Sequence, residues 1–82
     1  MRKPPKQFTL TPKRRWKTLA DCPVGMFMSE WNTLCMKTEY GNNEGRIDAY
    51  IVESGEFFWG GTSKPEDQRG VYVMPLVLTI NR

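Results

Sequence analysis

Three carboxylates gather around one turn of the sequence: Asp48, Glu53 and Glu56. Paired carboxylates can share general-acid and general-base work when a dry pocket moves their proton affinities apart. Nothing around these three supplies such a pocket. Glu53 and Glu56 flank the turn residues Ser54 and Gly55, where side chains are solvated. Ser54 has no base to activate it, because the chain contains no histidine. That absence also removes Ser/His/Asp and Cys/His nucleophiles and the commonest metal ligand. Cys22 and Cys35 are separated by twelve residues and do not form a C-x-x-C pair, so a zinc site would need carboxylates to complete it. Both read as reduced, buried small hydrophobes, with a disulfide between them as the alternative. The stretch Gly60-Gly61-Thr62-Ser63-Lys64 has the residue types of a phosphate-binding loop in the wrong order, and no helix is expected after it. No catalytic residue, metal or cofactor is expected, which leaves recognition as the available chemistry.

Two sets of residues could recognise a partner. Residues 1–17 carry seven cations and no anion, whereas residues 18–82 carry five cations and nine anions, so +7 and −4 give the net +3. Arg2, Lys3, Lys6, Lys13, Arg14, Arg15 and Lys17, with Trp16 available to stack, could follow a DNA or RNA backbone or an acidic protein surface. The opposing expectation is a solvated tail that keeps a small protein in solution. The second set is the acidic and aromatic hairpin: Asp48, Tyr50, Glu53, Glu56, Phe58 and Trp59. A net-negative body suits a basic groove on another protein better than it suits nucleic acid. Alternation sends Phe57 and Trp59 to one side of a strand and Phe58 to the other, so one bulky ring must leave the main core face; an exposed ring around Phe58 or Trp59, beside Gly60-Gly61, would anchor a partner.

The elements that must position these residues read as β-structure. Residues 1–15 (MRKPPKQFTLTPKRR) hold three prolines and few apolar groups, so they are expected to form a flexible arm, extended or disordered when free; the alternation over residues 7–11 offers an edge strand as the other reading. From residue 16 to 82 a single domain is expected. Candidate strands fall at 15–19, 26–29, 33–39 and 47–52, with the turn 53–56 leading into Phe57, Phe58 and Trp59 as a hairpin. The loop 60–70 is long enough to be functional or mobile. Residues 71–74 and 76–80 follow as strands, and Pro75 between them marks an edge, a bulge or a corner. No long run keeps a helical period. Five to six short strands predict an all-β, strongly bent antiparallel barrel of SH3-like or OB-like size.

The segments 16–27 (WKTLADCPVGMF), 34–40 (LCMKTEY), 48–52 (DAYIV) with Ser54-Gly55-Glu56, and 73–76 (VMPL) resemble a group of small bacteriophage and prophage proteins. That group's pattern has a D-x-P-x-G opening, a central K-T strand and a V-x-P close. The resemblance spans about residues 16–78 and leaves the basic arm outside. It implies a small accessory protein of phage or mobile-element origin, of a kind that binds and blocks a host or defence component or binds nucleic acid. No binding residue carries over from it. The expectation is therefore a non-enzymatic protein that inhibits or redirects a host or defence nucleic-acid-handling complex; the alternative is a small nucleic-acid-binding protein that uses its arm. With no apolar stretch near the roughly 20 residues of a membrane span, a soluble protein of the bacterial host cytoplasm is expected. Exposed edge strands make a homodimer a further expectation.

Overall fold

A computed structural model describes residues 7–13, 15–41 and 45–81. Strands β1 (Gln7–Pro12), β2 (Lys17–Thr18), β3 (Gly25–Ser29), β4 (Leu34–Gly41), β5 (Ile47–Ile51) and β6 (Tyr72–Asn81) build one antiparallel sheet, and a short helix α1 (Pro65–Arg69) precedes β6. The order is β1-β6-β3-β4-β5, with β2 also paired to β6. The all-β class matches the sequence expectation. The sheet stays open, however: β1 and β5 are its two ends, and no pairing joins them among the described residues.

Within the expected arm, residues 7–12 are a strand, paired antiparallel to β6 from Gln7↔Asn81 to Pro12↔Leu76. Leu10 lies opposite Leu78, and Thr9 and Thr11 lie opposite Thr79 and Val77, so apolar and largely threonine-bearing positions alternate across this ribbon. The expected strand at 15–19 shrinks to Lys17–Thr18, because the chain turns at once: the Cys22 amide donates to the Thr18 carbonyl at 2.9 Å. Pro75 turns no corner. β6 runs through it for ten residues, and the proline sits where the neighbour of β6 changes from β2 (Lys17↔Val73) to β1 (Pro12↔Leu76). A missing N–H costs no ladder bond at such a break, while the Pro75 carbonyl still accepts from the Lys13 amide at 2.8 Å.

The core lies on one face of the sheet. Phe27, Cys35, Ala49 and Val73 are fully buried there, joined by Leu19, Cys22, Ile47 and Phe58. Register explains the set: Phe27 pairs with Cys35 and Pro75, and Cys35 pairs with Ile51, so one parity of each strand points inward.

The segment after the turn departs from the expected hairpin. Phe57 makes a single bridge to Tyr50, with the Ile51 and Phe58 amides donating to the Glu56 and Ala49 carbonyls at 2.8 Å, and no full strand follows. Gly60 (φ 73°) and Gly61 (φ 74°) swing the chain away from β5, a backbone that only glycine adopts cheaply. Pro65 at the start of α1, Glu66 and Asp67 in its first turn and Arg69 in its last satisfy the end preferences of a helix, although five residues are too few to show periodicity. Gln68 of that helix is fully buried and stands in for a strand beside β5: its amide nitrogen donates to the carbonyls of Ile47 (3.0 Å) and Phe58 (2.8 Å), and its oxygen accepts from the Ile47 amide (2.8 Å).

Candidate partner-binding site

The structure divides the residues of the acidic and aromatic hairpin. Phe58 is 4% exposed and meets Phe27 edge-on at 5.3 Å between ring centroids, so it belongs to the core and corrects the expectation of an exposed anchor there. Its amide is bonded to Ala49, which fixes the inward direction of the ring. Asp48 is half-buried and engaged on both oxygens: one accepts from the Thr38 hydroxyl at 2.6 Å and the other from the Tyr50 hydroxyl at 2.7 Å. The bond to Asp48 holds the Tyr50 phenol above its ordinary ionisation range, since a negative neighbour and a retained proton favour the neutral ring. Glu53 and Glu56 are exposed at the turn, where the Ser54 hydroxyl accepts from the Glu56 amide at 3.2 Å.

Trp59 is the anchor that remains, 54% exposed. Its ring contacts Phe57 at 4.9 Å, and Phe57 in turn meets Tyr50 at 5.8 Å, both edge-on. The Arg46 guanidinium lies 4.5 Å from the Trp59 ring centre and also donates to the Ser63 carbonyl, so a cation braces the indole from the protein side. Residues 57–61 and Trp31 border a cleft of about 280 Å³, with Glu56 at its rim. Trp31 is 58% exposed and comes from the β3–β4 turn. That turn is held by Ser29, whose hydroxyl accepts from the Trp31 amide (3.2 Å) and the Thr33 amide (3.1 Å), with Asn32 at φ 60° between them. Gly61 lies so close that a β-carbon there would come within 3.3 Å of the Trp31 ring. Sequence reasoning alone does not place Trp31 in the site. The available signal is a glycine pair directly after an aromatic run, which marks close approach by something bulky without naming it.

The basic set is divided too. Arg2, Lys3, Lys6 and Arg14 lie outside the described residues. Lys13, Arg15, Trp16 and Lys17 are exposed at the edge of the sheet where β1 gives way to β2. Lys37 is structural. Its ammonium donates to the carbonyls of Leu19 (2.8 Å), Ala20 (3.2 Å) and Cys22 (2.6 Å), tying the turn after β2 to β4.

Cys22 and Cys35 are both buried free thiols. Burial pushes Cys35 up to about 11 and raises Cys22 as well, the latter opposed by Lys37, Lys13 and Lys17. Low-dielectric surroundings disfavour the thiolate, so neither is poised for nucleophilic work. Among the described residues, no group of three or more Cys, Asp or Glu side chains could hold a metal ion, and no described helix is long and apolar enough to cross a membrane. Compared with known proteins, the chain matches no family model, no curated protein and no solved structure.

Proposed function

We propose that this protein acts without catalysis, by binding a protein partner at the cleft of Trp31, Phe57 and Trp59, with Glu56 as its acidic rim. The observation that carries the reading is the pair of tryptophans, each more than half exposed and each held in place by its own backbone and side-chain neighbours. Rigid, half-exposed indoles beside a concavity are the side chains that dominate binding energy at protein interfaces. The acidic rim favours a basic partner segment, such as the groove of a protein that normally holds nucleic acid. In the finer form of the proposal, the chain is a phage-type accessory protein that inhibits or redirects a host or defence nucleic-acid-handling complex.

The test is recovery of a basic partner from nuclease-treated bacterial host extract, with the partner then purified and titrated. Wild type should retain the partner after nuclease treatment, and Trp31→Ala and Glu56→Lys should each weaken the purified complex about tenfold or more, a loss of about 1.4 kcal/mol. Binding that vanishes with nuclease, or that ignores both substitutions, would refute the cleft as the site.

A second reading rests on the edge cations: Lys13, Arg15 and Lys17 are exposed with Trp16 among them. It predicts nucleic-acid binding whose affinity falls as salt rises, with a log–log slope near −0.9 for each duplex phosphate neutralised. Absence of binding to both duplex and single-stranded DNA and to RNA at low salt would remove it.

A further inference from the structure

The edges of this sheet are not defended alike. Bare main-chain groups on an unpaired strand template pairing with another chain, so sheets blunt their edges with charge, proline, a bulge, a very short strand or a covering element. The outer edge of β5 is covered by Gln68 and by the bonds that Ala49 and Ile51 make with Phe58 and Glu56. The overhang of β4 past Gly25 carries Glu39 and a bulge between Lys37 and Gly41. β1 ends in Pro12, which has no N–H, followed by Lys13, and β2 is two residues long. β6 is the exception. β3 pairs with it from Val73 to Pro75, so from Val77 to Asn81 its one neighbour among the described residues is β1. That stretch, Val77-Leu78-Thr79-Ile80-Asn81, holds no charge, proline or glycine. Val77 is 43% exposed and Leu78 52%.

The ladder shows which way the main-chain groups of this stretch point. The Lys13 amide donates to the Pro75 carbonyl at 2.8 Å. Hydrogen-bonded pairs alternate along an antiparallel ladder, so Thr11–Val77 and Thr9–Thr79 are the next such pairs. The N–H and C=O groups of Leu78 and Ile80 therefore point away from β1, to the side that β3 has left. We propose that residues 77–81 of β6 pair antiparallel with the same residues of a second copy, about a two-fold axis at Thr79, and so join two sheets edge to edge.

A row of main-chain donors and acceptors is completed by a strand. The sequence selects a second copy as that strand, because the stretch is self-complementary. Centred on Thr79, the pairing sets Leu78 opposite Ile80 and Val77 opposite Asn81, apolar against apolar at the positions whose main-chain groups face the axis. Both Leu78–Ile80 pairs are then hydrogen-bonded through those groups. The two Thr79 residues form the closer, non-hydrogen-bonded pair, in which threonine hydroxyls can bond across the axis. β3 fixes this centre. A pairing centred on Leu78 would set Asn81 opposite Pro75, on the side that Phe27 already occupies. Residues 76–81 carry no charge, so self-pairing sets no like charges of this stretch against each other. The pairing also removes a weakness of the single copy. Beyond the last pair with β3, β1 and β6 are a two-stranded ribbon, and two strands alone are marginal in water. Joined at β6, the two ribbons become four strands in the order β1-β6-β6-β1.

Sedimentation velocity and native mass spectrometry on the full chain test this. A concentration-dependent species of two chains is expected. A chain that stays monomeric to hundreds of micromolar overturns the proposal and leaves the edge to a strand of another protein. Leu78→Pro removes an N–H that points to the open side and leaves the ladder to β1 intact, the device that Pro12 supplies on β1. It should weaken association about tenfold or more, with circular dichroism as the check on folding. Thr79 is exposed, so its replacement spares the core even if the proline variant fails to fold. Thr79→Lys and Thr79→Glu should each self-associate about tenfold or more weakly than wild type, because like charges then meet across the axis. Mixed, the two should form the heterodimer in preference to either homodimer. A dimer indifferent to the Thr79 substitutions, or a mixture with no such preference, would place the contact elsewhere and refute the axis at Thr79. Amide exchange gives a second readout: protection at Leu78 and Ile80 should rise with protein concentration, and protection there that is independent of concentration overturns the pairing.

Discussion

The two faces of this one sheet are close in hydrophobicity and opposite in construction. The inner face is closed: Phe27, Cys35, Ala49 and Val73 are wholly buried, Phe58 fills the space against Phe27, and Gln68 satisfies the edge of β5 as a strand would. The outer face has methionines and leucines in the corresponding positions of the same strands, half-exposed along a groove. Burial on the inside is assigned to shapes with few rotamers, and surface on the outside to the most adaptable apolar side chain. Hydrophobicity alone therefore does not say which face is the core; the polar closure around Gln68 does.

The sharpest break of this comparison is a pair of truncations. Phe27→Ala should cost about 3–5 kcal/mol, enough to abolish a cooperative unfolding transition in a domain of this size. Met36→Ala, one register position away on the other face, should change stability by no more than about 0.5 kcal/mol when measured at a dilution that keeps the chain monomeric. Urea titrations of the two variants decide it. Equal costs would mean that the outer face is a second core and that the distinction is wrong.

Next in size is Gln68→Leu, which keeps the volume and deletes three buried hydrogen bonds. The amide and carbonyl of Ile47 and the carbonyl of Phe58 would be left facing an apolar group. About 2–4 kcal/mol of stability should be lost, and amide exchange at Ile47 should accelerate more than exchange at Phe27 does. A loss spread evenly over the sheet would show that Gln68 merely packs.

The alternation around Ile47, Ala49 and Ile51, the glycine-rich turn and the strand character of residues 71–80 were legible because each is a local pattern. The face of the core was not, since Met26-Phe27-Met28 and Leu34-Cys35-Met36 are apolar at every position and period two carries no contrast there. Pro75 could not be placed because its tolerance depends on where two other strands meet β6. Helix α1 is one turn of polar residues whose only inward side chain is an amide, invisible to any hydrophobic pattern. The site was half legible for the same reason: alternation along one segment says that a ring at Phe58 or Trp59 leaves the core face without saying which, whereas Trp31 reaches the cleft through a different turn and a close approach of Gly61.

Lys37 gives a smaller effect on the inner side. Replacing it with methionine removes one ammonium that collects three carbonyls of the turn after β2 and should cost about 1–3 kcal/mol. Arginine should not restore it, because a planar fork cannot direct its donors to three carbonyls converging on one point. Thermal unfolding of Lys37→Met and Lys37→Arg checks this, and a fully stable arginine variant would mean that charge alone is required at the site.

The last effect is a pH dependence that tests the inner face by titration. Cys35 is wholly buried, and its thiol is pushed from 9.0 up to about 11 in the folded chain. The unfolded chain, with the lower value, releases its proton first as pH rises, so between about 9 and 11 the native state binds more protons and stability declines with pH. Below about pH 9 both states hold the proton and the contribution is constant. Other groups titrate in the same window, lysines above all, so the informative quantity is the difference between wild type and Cys35→Ala across it. The stability advantage of wild type should shrink from about pH 8.5 towards pH 11. A pH-independent difference would mean that the inner face admits water to Cys35, and it would then be no drier than the face that carries the methionines.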